Sequence, residues 1–382
     1  MTGDKIWANS GDSHIVEPLD LFDSLPEDVR IRMPRTVTDP SGEFETIHVD
    51  GQEFRRELPQ GPQKFTVNAR PVEAEEDGFI TRMIEGSDPD HRLRDLDDEG
   101  IWAEVIYPSM GIWAFNIRTP EVARLGCRAQ NEFALDFQNH SPRFVCAASI
   151  PLVDVDDAVA EITRASDAGF SVGFLPVQPP FGRPDWHDEG WDRMWAAFAE
   201  TGMVIGFHIG TEPVDPTKRI GVYYRGRGGA VLNYVETTYG GQRAVTKLIA
   251  CGALDRHPDL RVLVSEGGAT WGPFIADRMD EGYRQHSAAV RPTLSKPPSQ
   301  FLYEQVYASF QHDASAVEAC RAMGWNNVMW GSDYPHFEGT FGHTQKTLHE
   351  LFDGVEPAAS HRMRIGAFEE LFPHVPRVPV TA

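Results

Sequence analysis

Eight short apolar runs, each followed by a longer amphipathic stretch, restrict the fold of this chain more than any other feature of its sequence. The runs are "KIWANSGD" (5–12), "IWAEVIYP" (101–108), "FVCAASIP" (144–151), "SVGFLPV" (171–177), "MVIGFHIG" (203–210), "LRVLVSEG" (260–267), "QVYASF" (305–310) and "NVMWGSD" (327–333). They are mostly continuous rather than alternating, as strands buried on both faces are. The stretches between them carry helix signals. "TPEVARLGCRAQNEFALDFQNH" places Thr119 at the N-cap, Pro120 at N1 and Glu121 at N2. "DVDDAVAEITRASDAG" and "WDRMWAAFAETG" each stop at a glycine. Eight buried strands alternating with helices fit a (β/α)8 barrel or a doubly wound open sheet. The even spacing favours the α/β barrel of the TIM type.

The chain of 382 residues is read as a single domain over 1–382. The gap between the first two strands is too long for one helix. Within it, "ETIHVDGQEFRREL" predicts a β-hairpin turning at Asp50-Gly51. Residues 24–92 are therefore expected to form an inserted excursion after strand 1, over the barrel mouth. Residues 211–235, rich in Gly, Arg and Tyr, read as a lid-like or substrate loop.

Charge and cysteine usage narrow the partners. A formal net charge of −22 repels nucleic acid and anionic membrane. No apolar run reaches the roughly 18 residues of a membrane span. "MTGDKIWANS" has no basic region followed by an apolar one, so no secretory signal is expected and the cytoplasm is the expected compartment. Cys127, Cys146, Cys251 and Cys320 show no C-x-x-C spacing and sit among apolar neighbours, as buried free thiols do.

In a barrel of this kind, chemistry belongs to the C-terminal ends of the strands. Strand one ends in Asp12-Ser13-His14, strand five in His208, strand six in Glu266 and strand eight in Asp333. A lone ionisable group inside such apolar runs costs several kcal/mol unless it is paired or bound to a cation. Residues 12 and 14 share a strand face, so a D-x-H pair delivers two ligands to one point. Each residue alone has an ordinary reading: His208 as a hydrogen-bonded core residue, Asp333 or Asp12 as a turn cap. Together, carboxylates and imidazoles at four strand ends suit a borderline divalent ion such as zinc, with manganese or iron as alternatives. Glu17 reads as a group behind the cage or as the cap of the turn before Pro18.

These residues resemble the amidohydrolase superfamily, in its amidohydrolase-2 branch with the aminocarboxymuconate-semialdehyde decarboxylase-like proteins. The matching pieces are "DSHIVEP", "RLRDLDDEGIWAEVIYPS", "RFVCAASIPLVDVDDAVAEI", "FHIGTEP", "HPDLRVLVSEGGATWGPFIADRMD" and "NVMWGSDYPHFEG". The resemblance implies a distorted (β/α)8 barrel with a catalytic divalent metal, usually zinc, held by Asp12, His14, His208 and Asp333. It implies a substrate-facing or proton-shuttling role for His336, and a homodimer. Two departures bear on chemistry. The decarboxylases place a histidine at the end of strand six, where this chain has Glu266. Strand four ends in "FLPVQPP", without a Lys or Glu to bridge two metals, so a mononuclear site is expected; Glu266 is the residue that could extend it to a binuclear one.

An ion with an open position lowers the pKa of bound water and polarises a carbonyl. Asp333 is expected to move the water proton, with Glu266 or His336 orienting the water or protonating the leaving atom. The first expectation is hydrolysis of an amide, ester, lactone or thioester. The alternative is non-oxidative decarboxylation of an aromatic or unsaturated acid, and Glu266 in place of histidine tips the reading to hydrolysis. A barrel kept only as a binding scaffold is disfavoured by the intact ligand set. For the substrate, Trp113, Trp271, Tyr223, Arg225 and Arg227 suggest an aromatic pocket rimmed by guanidiniums, for a small, anionic and partly apolar molecule.

Overall fold

Each of the eight apolar runs contributes a strand to one parallel sheet in a computed structural model that describes residues 5–57, 64–67, 70–73, 83–213, 227–336 and 338–379. The strands are β1 (Ala8–Ser10), β2 (Ile101–Pro108), β3 (Phe144–Ser149), β4 (Val172–Leu175), β5 (Val204–His208), β6 (Val262–Ser265), β7 (Val306–Phe310) and β8 (Val328–Trp330). They lie side by side in chain order. The sheet closes where Gly11 N donates to Trp330 O at 2.9 Å, Asp333 N to Asp12 O at 3.0 Å and His14 N to Tyr334 O at 2.7 Å. The open-sheet alternative is thereby excluded. Closure buries both faces, which is why strand residues such as Val105, Phe174, Phe207 and Val264 are fully buried.

A helix follows each strand: α1 (Pro89–Glu99), α2 (Pro120–Gln138), α3 (Val155–Ala168), α4 (Asp192–Thr201), α5 (Gly229–Ala250), α6 (Trp271–Gln285), α7 (Ala314–Met323) and α8 (Thr344–Phe352). Gly169 and Gly202 end α3 and α4 with φ of 106° and 71°, the left-handed conformation the sequence predicts for them. Thr119 does stand at the N-cap of α2, but its side chain makes no capping bond. The Asp50 carboxylate holds the chain just before the helix, accepting from Arg118 N at 2.7 Å and Thr119 N at 2.9 Å.

The excursion forms its own small sheets. Arg35–Thr38, Phe44–Val49 and Gln52–Glu57 pair antiparallel, and Lys64–Val67 pairs with Arg70–Glu73. The expected hairpin turns at Asp50-Gly51, where both residues have positive φ, 50° and 74°. Val29, Met33, Ile47, Val49 and Phe54 form an apolar cluster with Trp113 and Ile117 from the segment after β2. The expected loop 211–235 is shorter than its sequence suggests, because α5 already begins at Gly229. Among the described residues, no helix is long and apolar enough to cross a membrane. Cys127, Cys146 and Cys320 are buried free thiols, and Cys251 is half-buried.

Candidate metal centre

The C-terminal ends of β1, β5, β6 and β8 bring their ionisable groups to one point. His14 Nε2 lies 3.0 Å from His208 Nε2, 3.4 Å from Asp333 Oδ1 and 3.8 Å from Asp12 Oδ1. His208 Nε2 lies 3.2 Å from Asp12 Oδ1 and 3.5 Å from Glu266 Oε2. His336 Nδ1 lies 2.8 Å from Asp333 Oδ1, and its ring stacks on His14 with centroids 4.0 Å apart. Asp12, His14 and His208 form one group with ligand atoms in mutual reach; His14, Asp333 and His336 form another, and Asp12, Glu266 and Asp333 a third.

Local backbone aims these side chains. The first strand breaks after Ser10 and resumes at His14–Ile15, paired with Tyr107 and Pro108. Asp12 and His14 therefore converge across a break rather than along an unbroken strand. Glu266 and Asp333 have φ of 58° and 53°, a conformation that costs L-residues of their type on the order of 1–3 kcal/mol. Both turn their carboxylates inward just past a strand end.

The donor set fits a divalent cation. Asp12 and Asp333 are fully buried, yet both carboxylate oxygens of Asp12 and Oδ2 of Asp333 have no hydrogen-bond partner. Uncompensated, such oxygens cost several kcal/mol. His208 Nδ1 is directed at Ile209 O, 2.8 Å away, which fixes its N–H there and leaves the Nε2 lone pair facing the cage. Two imidazole Nε2 atoms 3.0 Å apart, with two carboxylates beside them, are the ligand types of a zinc or manganese site.

The electrostatics follow from crowding. Burial, then the charges of His336 and His208, hold His14 well below its ordinary pKa. Burial and the carboxylates of Asp333 and Asp12 push Glu266 well above the carboxylate range. Burial raises Asp333 to about 6 against the pull of His336. Burial works against a charged His336, but Asp333 outweighs it and raises the imidazole to about 9.

Residues behind the cage were not all foreseen. Arg92 is fully buried, donates to His14 O at 2.7 Å and pairs with Glu104 on β2. Glu104 carries the same signal that picks out Glu266, a carboxylate inside an apolar run. Tyr107 hydrogen-bonds Ser265 at 2.9 Å and sets its ring 5.1 Å from His208. Glu17 accepts from the backbone N–H groups of Ser109, Met110 and Gly111, so it ties down the segment after β2 rather than facing the cage.

The substrate residues named from sequence separate. Trp113 is buried in the excursion's apolar cluster, its ring 6.5 Å from Phe54. Trp271 packs on Trp325 at 5.4 Å and spends its N–H on Gly268 O. Arg227 is exposed just before α5, while Tyr223, Tyr224 and Arg225 lie outside the described residues.

A parallel barrel with such a cage at the C-terminal strand ends defines a barrel enzyme. The chain belongs to the amidohydrolase family, whose model matches residues 86–366. That match starts beyond Asp12 and His14, but structural likeness spans nearly the whole chain. An amidohydrolase from Mycobacterium avium subsp. paratuberculosis K-10 shares 18% identity, with a TM-score of 0.75 over 97% of this chain and 100% of its own. The 5-carboxyvanillate decarboxylase of Sphingomonas paucimobilis shares 15%, with a TM-score of 0.66 over 96% and 99%. A dihydroxybenzoic acid decarboxylase from Polaromonas sp. JS666, solved with bound manganese and the inhibitor 2-nitroresorcinol, shares 13%, with a TM-score of 0.64 over 96% and 97%. None of the curated proteins compared matches the sequence.

Proposed function

We propose that this protein is a metal-dependent, non-oxidative decarboxylase of an aromatic or unsaturated carboxylic acid. The observation that carries the reading is the buried carboxylate–imidazole cage, in a chain whose full-length structural likeness includes two decarboxylases of aromatic acids. This reverses the sequence expectation, which put hydrolysis first because Glu266 stands where the decarboxylases have histidine.

Asp12, His14, His208 and Asp333 would hold the ion. Zinc suits the ligand set, and manganese is the ion bound in the dihydroxybenzoic acid decarboxylase. Such an ion would supply positive charge and Lewis acidity for an anionic substrate. His336, a quarter exposed and held largely cationic at neutral pH by Asp333, attracts the anionic substrate from the mouth side. Glu266, its side chain almost wholly buried and disposed to stay protonated, is the proton donor. The C–C bond to the carboxylate breaks, its electron pair remains on the ring or alkene carbon, and that carbon takes the Glu266 proton as carbon dioxide departs. Solvent then reprotonates Glu266. Hydrolysis remains the second reading, favoured by the same Glu266, which as a carboxylate would serve as base toward water.

A product assay on a panel of aromatic acids, esters and thioesters separates the two, using protein loaded with manganese or zinc. Decarboxylation releases carbon dioxide and, in deuterated water, leaves deuterium on the protonated carbon. Labelled solvent oxygen appearing in a carboxylic acid product, with no carbon dioxide, would overturn the proposal in favour of hydrolysis.

A further inference from the structure

The segments after β2, β3 and β4 enclose a second feature of the barrel mouth, in a different sector from the ligand cage. Together with the tip of the excursion hairpin they form a cleft of about 120 Å³. Phe115, Asn116 and Arg118 form one side, Phe181 and Arg183 another, and Gln52 of the hairpin a third. It shares no lining residue with the cage. Phe115 packs on Phe174 at 5.0 Å, Phe174 on Tyr107 at 5.3 Å, and Tyr107 on His208 at 5.1 Å, so three rings separate the cleft from the ligands.

Its charge runs against that of the molecule. The protein carries a net −22, and neighbouring arginines are matched with carboxylates: Arg32 with Asp50, Arg124 with Asp157, Arg193 with Asp156. Arg118 and Arg183 both line the cleft, and neither has a carboxylate within salt-bridge reach among the described residues; the Arg118 guanidinium lies over Phe181 and that of Arg183 beside Trp191. Asp50 does not neutralise Arg118, because its carboxylate is engaged by Arg32 and by the N–H groups of Arg118 and Thr119.

The cleft is also built, not merely open. Asp50, at the positive-φ turn of the hairpin, grips the backbone at 118–119, and Gln52 Nε2 donates to Asn116 O at 2.7 Å. The hairpin tip thus fixes the segment that presents Arg118. Phe181 stays 52% exposed beside the Arg118 guanidinium, 5.3 Å from its ring centroid, and offers an apolar platform. A volume of about 120 Å³ accommodates only a small group. That is well below the roughly 300–1,000 Å³ of pockets that enclose a whole drug-sized ligand. It suits one acid group with a short apolar stem.

We infer that this cleft is an oxyanion site, separate from the metal cage, which takes the carboxylate or phosphate of a small ligand between Arg118 and Arg183. Two guanidinium forks match the paired oxygens of either group. The excursion's hairpin thereby acquires a role the cage does not give it.

Calorimetric titration of the full-length protein, stripped of metal with a chelator at low ionic strength, tests this with inorganic phosphate and, separately, benzoate. At least one should bind saturably. The paired substitution Arg118→Gln and Arg183→Gln should weaken it at least tenfold, about the effect of one lost charge-assisted hydrogen bond, with an unchanged melting temperature since both side chains are exposed. His208→Asn should leave the affinity within twofold. Binding of phosphate alone assigns the site to phosphate or phosphate esters, and of benzoate alone to carboxylates. Absence of saturable binding, full affinity in the paired variant, or loss of binding in His208→Asn would each overturn the inference.

Discussion

Asp333 concentrates the demands of the site on one residue. It is fully buried, holds a positive φ, pairs with His336 and leaves Oδ2 without a partner. Asparagine tolerates the same φ and keeps the shape, so Asp333→Asn isolates the loss of charge. Turnover should fall by about 10²-fold or more, the usual weight of a group that moves a proton or holds charge at the reacting centre. The melting temperature of the metal-free protein should not fall; steady-state rates and thermal unfolding check both. Gly339 packs against the backbone that carries this residue. A Cβ there would stand 2.7 Å from the carbonyl oxygens of Ser332 and Asp333, backbone atoms that cannot swing aside. Gly339→Ala should therefore cost roughly 1–3 kcal/mol in urea unfolding and reduce the metal retained after dialysis. The place of Asp333 in the cluster was legible because an acid inside "VMWGSD" is costly without a partner. The role of Glu17 was not, because its three N–H partners lie more than ninety residues further along the chain.

The elements divide along the same line. The eight barrel strands could be read directly, since burial on both faces leaves a continuous apolar run whatever the neighbouring strand is. The excursion gave up only its central hairpin, whose Asp-Gly turn and alternating flanks are local signals. The strand Arg35–Thr38 is exposed at all four positions, so no buried face marks it in the sequence. The start of α2 was half legible: Thr119 does stand at the N-cap position, but its side chain makes no capping bond, and the acceptor that holds the backbone of Arg118 and Thr119 belongs to a different element. Asp50→Gly tests that reading, because glycine relieves the positive φ while deleting the acceptor. If the carboxylate matters as the acceptor for the Arg118 and Thr119 amides and as the partner of Arg32, the variant should lose about 1 kcal/mol or more despite the relieved positive φ. Chemical unfolding measures it, and a more stable variant would show that the positive φ outweighs these bonds at this position.

For the molecule as a whole, metal, protons and folding are linked through the cage. Burial disfavours the His336 cation, but Asp333 more than compensates, and the native imidazole titrates near 9 against about 6.5 in an unfolded chain. Between those values the native state holds a proton that the unfolded state has lost. The metal-free protein should therefore have the full His336 contribution below pH 6.5 and lose it as pH rises through 9. Urea unfolding after chelator treatment should show stability falling by roughly 1 kcal/mol per pH unit across pH 7–9. His336→Gln should flatten that slope. A bound cation changes the balance, because it requires His14, His208 and the carboxylates deprotonated and competes with protons for them. Adding manganese or zinc should thus raise the melting temperature more at pH 8.5 than at pH 6. A rise of equal size at both values would mean that the ion binds without displacing protons, which a cage of two imidazoles and at least two carboxylates does not permit.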